Sequence, residues 1–338
     1  MSGTAVGSSL AAMGRIAGGV GPTGGPQPMH IPDGFLSVPV SLVFWIVAIV
    51  VIGYALRRVS RELDERRVPL LAVLAAVIFA GQMLNFSVTG GTSGHLLGAT
   101  LAAVLLGPWA AMVVMTAVVS IQALVFQDGG ILVLGANLFN MAIVGVLVGY
   151  GVYQLVSRAL GNRRWAVPVS GFVAAWLSIV VAALACALEL ALSGTSPANI
   201  AVPAMGGIHA LIGIGEGLIT AGALVFVLAA RPDLVAPTAK ATAGQKALWI
   251  GGAALAVVLA VLSPLASAHP DGLEWVAEQQ GFLEAARDPL YSIIPDYVFP
   301  GISNEALATI VAGVVGTLVV AAVAYLVAQG VRRRATQQ

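Results

Sequence analysis

Met29-His30-Ile31-Pro32-Asp33-Gly34-Phe35-Leu36-Ser37 runs directly into residues 38–56, VPVSLVFWIVAIVVIGYAL, a stretch without a single charge that is closed by Arg57-Arg58. A helix needs about 20 mostly apolar residues to cross a hydrocarbon core of about 30 Å, so this run reads as a membrane span. Composition extends the reading to the whole chain. Of 338 residues 59% are hydrophobic and 9% charged, against roughly 25% charged in an ordinary soluble domain. With a net charge of +1 and its basic residues in short loops, the chain offers no patch for nucleic acid.

Hydropathy and Gly/Pro punctuation predict an all-α polytopic membrane protein with nine spans, near residues 38–56, 69–88, 94–106, 108–126, 135–156, 166–191, 206–229, 246–265 and 305–328. The third is short and is separated from the fourth only by Gly107-Pro108, which suggests a tilted or half-buried element inside the bundle. Loops facing the cytoplasm carry an excess of Lys and Arg. Here Arg57, Arg58, Arg61, Arg66 and Arg67, then Arg158, Arg163 and Arg164, then Arg231, Lys240 and Lys246, then Arg332, Arg333 and Arg334 fall on one side of an alternating chain. The opposite loops, Ser87–Gly94, Gln127–Leu134, Ser193–Met205 and Ala266–Asn304, hold only Arg287. The Met29 region is therefore expected outside and the C-terminus in the cytoplasm of a multi-pass protein of the inner cell membrane.

Residues 236–245, rich in Ala, Thr and Gly, read as a linker between a seven-helix unit, 29–235, and a two-helix unit, 246–334, with one large external loop. Residues 1–28 have the Gly-, Ala- and Ser-rich composition of a disordered leader.

A histidine in second place on a free N-terminus chelates metal: the α-amine, the next amide nitrogen and the imidazole form a flat nitrogen clamp suited to Ni(II), Cu(II) and similar late divalent ions. Met29-His30 has that form if the chain starts at Met29. His95 follows the glycine-rich Thr89-Gly90-Gly91-Thr92-Ser93-Gly94. Alone it fits a hydrogen-bonded structural role or a ligand; His30 on the same outer face strengthens the ligand reading. His209, Gly213 and Glu216 follow i, i+4, i+7 and share a helical face. They fit either a transport path or close helix packing with both side chains bonded to neighbours. Among polar groups at the outer span ends, Gln82, Asn85, Ser93, Gln122, Gln127, Asp128, Asn137 and Asn140, one or two could orient a ligating imidazole. Asp33 reads as a turn residue or as a partner of the chelating segment, Glu189 as facing the water interface, His269 as solvated, and the lone Cys186 as a small buried hydrophobe. No G-x-x-x-x-G-K-[ST] is present to bind ATP and no His-Glu-x-x-His to cut peptides.

Met29-His30-Ile31-Pro32-Asp33-Gly34-Phe35-Leu36, Thr92-Ser93-Gly94-His95-Leu96-Leu97-Gly98 and His209-Ala210-Leu211-Ile212-Gly213-Ile214-Gly215-Glu216-Gly217 closely resemble the M component of cobalt and nickel energy-coupling-factor transporters, CbiM/NikM. Pro270-Asp271-Gly272-Leu273-Glu274 with Pro295-Asp296-Tyr297 resembles the small N component, or PDGLE domain, fused behind it. The resemblance implies a non-catalytic capture subunit that binds Co²⁺ or Ni²⁺ as cargo, with no resident cofactor. It also implies membrane lipid around the chain, a transmembrane coupling (T/Q) partner and two cytoplasmic ATP-binding (A/O) subunits. It further implies ligation by the amine of Met29, the amide and imidazole of His30, and the imidazole of His95; the residue pattern itself offers Asp33, Asn85, His209 and Glu216 as candidates for the surroundings or the path. The residues before Met29 depart from that pattern, so translation or processing is expected to expose Met29. The competing reading is a stand-alone metal/proton carrier using His209 and Glu216. The flat clamp leans toward nickel, but the sequence does not separate the two metals.

Overall fold

The computed structural model describes residues 29–62, 67–161, 163–235 and 244–335. The expected leader 1–28, most of the expected linker (236–243) and the basic residues Arg66 and Lys240 lie outside these. Helix α1 (Val38–Glu62) is followed by α2 (Val68–Gln82), a hairpin of β1 (Phe86–Val88) and β2 (Thr92–Gly94), and α3 (Ala99–Leu106). Then come α4 (Pro108–Phe126), α5 (Leu134–Leu160), α6 (Ala166–Leu192) and α7 (Ala198–Ala230). The second unit holds α8 (Gln245–Leu262), the short α9 (Gly272–Gln280) and α10 (Glu305–Ala335). Seven helices and then two membrane helices with a long loop between them are the architecture the sequence predicts.

The spans differ from that prediction in one region. Among the described residues seven helices are long and apolar enough to cross a membrane, whereas α2 has 15 residues and α3 only 8. Residues 86–94 pair antiparallel, Phe86 with Gly94 and Val88 with Thr92. Non-helical backbone inside a membrane bundle is tolerated only where protein satisfies its polar groups. Glu216 of α7 does this here, accepting from the amides of Leu97 (2.7 Å) and Gly98 (3.1 Å). Gln82 donates to the Leu97 carbonyl at 3.0 Å, and the amide of Ser93 donates to Pro270 in the second unit at 2.8 Å.

Leu42, Ile46, Ile49 and Val50 are exposed along one face of α1, the i, i+4, i+7, i+8 stripe of a helix turned toward lipid. Helices in lipid associate through close packing of small residues, and α8 meets α2 that way, at Ala76, Ala80, Ala256 and Ala260, with Val314 and Ala321 of α10 packed against them. A Cβ on Gly316 of α10 would lie 2.3 Å from Cζ of Phe79, so only glycine allows this approach. Tyr297, Val320 and Ala324 belong to the main core. The second unit is thus seated against the first.

Candidate metal site

The segment Met29–Asp33, the hairpin, the loop before α5 and the 266–304 loop gather at one end of the bundle. Ile31 is held from both sides of its peptide: its amide donates to Asn137 Oδ1 (3.0 Å), and its carbonyl accepts from Asn137 Nδ2 (3.1 Å) and the Gly130 amide (2.9 Å). Asp33 accepts from three successive amides, Ile131 (3.2 Å), Leu132 (2.9 Å) and Val133 (3.2 Å). It pins the segment to the chain entering α5, while its carbonyl takes the Arg287 amide of the second unit at 2.7 Å.

So tethered, the segment aims three nitrogens at one atom. Oδ1 of Asp128 accepts from the nitrogen of Met29 at 2.7 Å and the amide of His30 at 3.2 Å, and lies 2.8 Å from His30 Nδ1. These are the three donors of the clamp read from the sequence, converging on a carboxylate oxygen. Burial alone would raise the Asp128 pKa; the charge of His30 and the hydrogen bonds from His30, Met29 and Tyr297 outweigh it and hold the carboxyl below its usual range. Met29, His30 and Asp128 are all buried.

His95 completes the arrangement. Its ring centroid lies 6.1 Å from that of His30, so the two imidazoles face the same small space. Its Nδ1 is 3.1 Å from the Leu96 carbonyl, an acceptor that selects the Nδ1–H tautomer and leaves the lone pair on Nε2. Burial, and then the charge of His30, lowers its pKa to about 4, so the ring is neutral near pH 7, the form that ligates metal.

Met29, His30 and His95 line a cavity of about 80 Å³, together with His209, Asn137 and Asp271. His209 donates through Nδ1 to the Met205 carbonyl at 2.9 Å. Its helical-face neighbour Glu216 is absent from the cavity lining and serves the backbone of Leu97 and Gly98, so the two share a face but not a task. Asn85 is buried away from the cavity, with its carbonyl taking the Ser267 amide at 2.8 Å. Cys186 is buried as expected and His269 is exposed. Glu189 is 1% exposed and accepts from Asn140 Nδ2 at 2.8 Å, a correction to its expected place at the water interface: the polar partner on α5 draws it inward.

Sequence reasoning placed Asp128 and Asn137 only within a cluster of polar residues, and Tyr297 only within a motif. The available signal for Asp128 was its rarity, an acid in a loop otherwise without charge. For Tyr297 no local signal existed.

Residues 30–234 match the family described as the cobalt uptake substrate-specific transmembrane region, CbiM, and residues 245–333 match the PDGLE domain. A NikMN relative from Archaeoglobus fulgidus is 41% identical over 88% of this chain and 97% of its own length. The fused nickel transport protein NikMN of Rhodobacter capsulatus is 39% identical over 74% of this chain and 76% of its own. The cobalt transport protein CbiM of Sorangium cellulosum is 34% identical over 61% and 94%. The crystal structure of a truncated transition metal transporter superposes with a TM-score of 0.53 at 39% identity, covering 60% of this chain and 99% of that one.

Proposed function

The chain belongs to the cobalt uptake substrate-specific transmembrane region family of cobalt and nickel transport proteins, with a PDGLE domain fused behind it, and from that premise we propose that it captures Co²⁺ or Ni²⁺ at Met29, His30 and His95. The observation that carries the reading is the convergence of three nitrogens on the single oxygen Oδ1 of Asp128, beside a second imidazole in the same cavity. Nitrogen donors arranged around a point suit late divalent ions.

The capturing end faces outward and the arginine-rich loops face the cytoplasm of the inner cell membrane. Transport then draws on ATP hydrolysed by two partner subunits through a transmembrane coupling protein, as an energy-coupling-factor system. The clamp needs a free amine, so mass spectrometry of transport-competent subunit is expected to give Met29 as its first residue. Metal titration of the purified subunit whose first residue is Met29 and uptake by cells supplying the partners provide the main test. His30→Ala and His95→Ala should each abolish high-affinity binding and uptake, and near-normal binding in both would sink the assignment. Proteoliposomes holding this chain alone should not accumulate metal on a proton gradient. Uptake there would favour a carrier built on His209 and Glu216.

A further inference from the structure

We propose that Tyr297 of the second unit is a positioning residue for metal capture, acting through the Asp128 carboxylate. The inference rests on the clamp reading above and adds a control element from the other unit. Oδ1 of Asp128 occupies the point on which the Met29 and His30 nitrogens converge, so an ion entering the clamp must take that place. The other oxygen, Oδ2, accepts from the Tyr297 hydroxyl at 2.6 Å.

The phenol is fixed. Tyr297 has no exposed surface. Its ring stacks on Phe126 with centroids 4.8 Å apart and planes at 15°, and lies 6.3 Å from Phe79. Its backbone, like that of Asp296, is left-handed, with φ of 57° and 51°. A bulky residue rarely adopts that conformation and keeps it only where its surroundings over-determine it. Here the stacked ring and the hydroxyl bond on a carboxylate 169 residues away do so.

The hydroxyl matters more with metal bound than without. In the unliganded site the Asp128 charge is satisfied by four donors. An amide nitrogen and an imidazole nitrogen that ligate an ion carry no proton, and the protons they give up pass to the solvent, so Oδ1 loses two of its donors, the His30 amide and Nδ1, when the clamp closes on metal. A buried carboxylate cannot be left without partners at low cost; the Met29 amine keeps its N–H groups but moves onto the ion, and the Tyr297 hydroxyl is the donor that stays where it is. It gives Asp128 somewhere to rest as the ion displaces it, and so favours the loaded state.

Tyr297→Phe removes only the hydroxyl and keeps the packed ring, so the fold is expected to survive, as thermal unfolding of the metal-free protein will report. Calorimetric titration with Ni²⁺ of the detergent-purified mature subunit, its first residue Met29, should show binding at least about tenfold weaker. The d–d absorbance of bound Ni²⁺ should keep its wavelength because the ligands are intact. In an Asp128→Asn background the further change Tyr297→Phe should have little added effect, since the residue acts through that carboxylate. Wild-type affinity in Tyr297→Phe, or a loss that adds in full to that of Asp128→Asn, overturns the proposal. His30→Ala separates the two levels: loss of binding there with wild-type binding in Tyr297→Phe refutes only the role of Tyr297, whereas normal binding in His30→Ala refutes the clamp itself.

Discussion

Asp33→Ala tests whether the metal site depends on the tether of its N-terminal segment as much as on its ligands. Asp33 touches none of the three clamp nitrogens; its carboxylate accepts from the amides of Ile131, Leu132 and Val133 at 3.2, 2.9 and 3.2 Å, and the residue is 8% exposed. Hydrogen bonds to a charged group contribute about 1.5–3 kcal/mol each, and an amide left unpaired in a buried place loses its full desolvation cost. Three bonds from one carboxylate are not additive, so a total of about 4 kcal/mol is a reasonable scale. The Ile31 contacts to Asn137 and Gly130 survive the change, so about half of that loss should appear as disorder that metal binding must reverse. About 2 kcal/mol corresponds to a dissociation constant raised roughly 30-fold. Calorimetric titration with Ni²⁺ of the subunit that starts at Met29 should show this shift with unchanged stoichiometry, and Asp33→Asn, which keeps one acceptor oxygen, should fall between. If Asp33→Ala binds within twofold of the unaltered chain while His30→Ala does not bind, pre-organisation by the tether is not what shapes the site.

Gly129 has a φ of +96°, and a Cβ there would lie 2.8 Å from Cβ of His30 and 3.0 Å from Nδ2 of Asn137; Gly129→Ala should therefore lower the melting temperature by the equivalent of about 1–3 kcal/mol and weaken metal binding, both read by thermal unfolding with and without Ni²⁺. His95 has its pKa lowered from 6.5 to about 4, so between those values the unfolded chain binds a proton that the folded chain refuses. Metal-free stability should fall by roughly 3 kcal/mol as pH drops from 6.5 to 4, and be unaffected by this group above 6.5; His95→Gln should flatten that part of the profile, and an unchanged slope would contradict the buried neutral ring. Gly316→Val drives a side chain against Phe79, where a Cβ would already be 2.3 Å from Cζ, so protease cleavage in the loop between α8 and α10 should accelerate as the second unit lifts away, with intact resistance refuting the close seating.

Much of the membrane architecture is legible in the chain because crossing a bilayer is a local demand: each span must be long and apolar, and Gly107-Pro108 or Arg57-Arg58 ends one wherever the rest of the chain goes. His30 and His95 were legible for a related reason, since few histidines occur and each sits in a short, distinctive run. The second and third spans show where that logic stops. The ends of both predicted spans, residues 83–88 and 94–98, leave the helix, and 86–88 pair with 92–94 as a hairpin, where Glu216, Gln82 and Pro270, from distant parts of the chain, satisfy the backbone around them. Glu189 likewise lies inside because Asn140 meets it there.

The surroundings of the site were decided by tertiary structure alone. Asp128 meets Met29 from 99 residues away and Tyr297 meets Asp128 from 169, separations over which no periodicity or motif carries information. A span and a chelating dipeptide follow from what neighbouring residues are. The carboxylate at the focus of the clamp, and the phenol behind it, follow from where packing brings remote ones, because a buried charge must find its donors wherever the folded chain presents them.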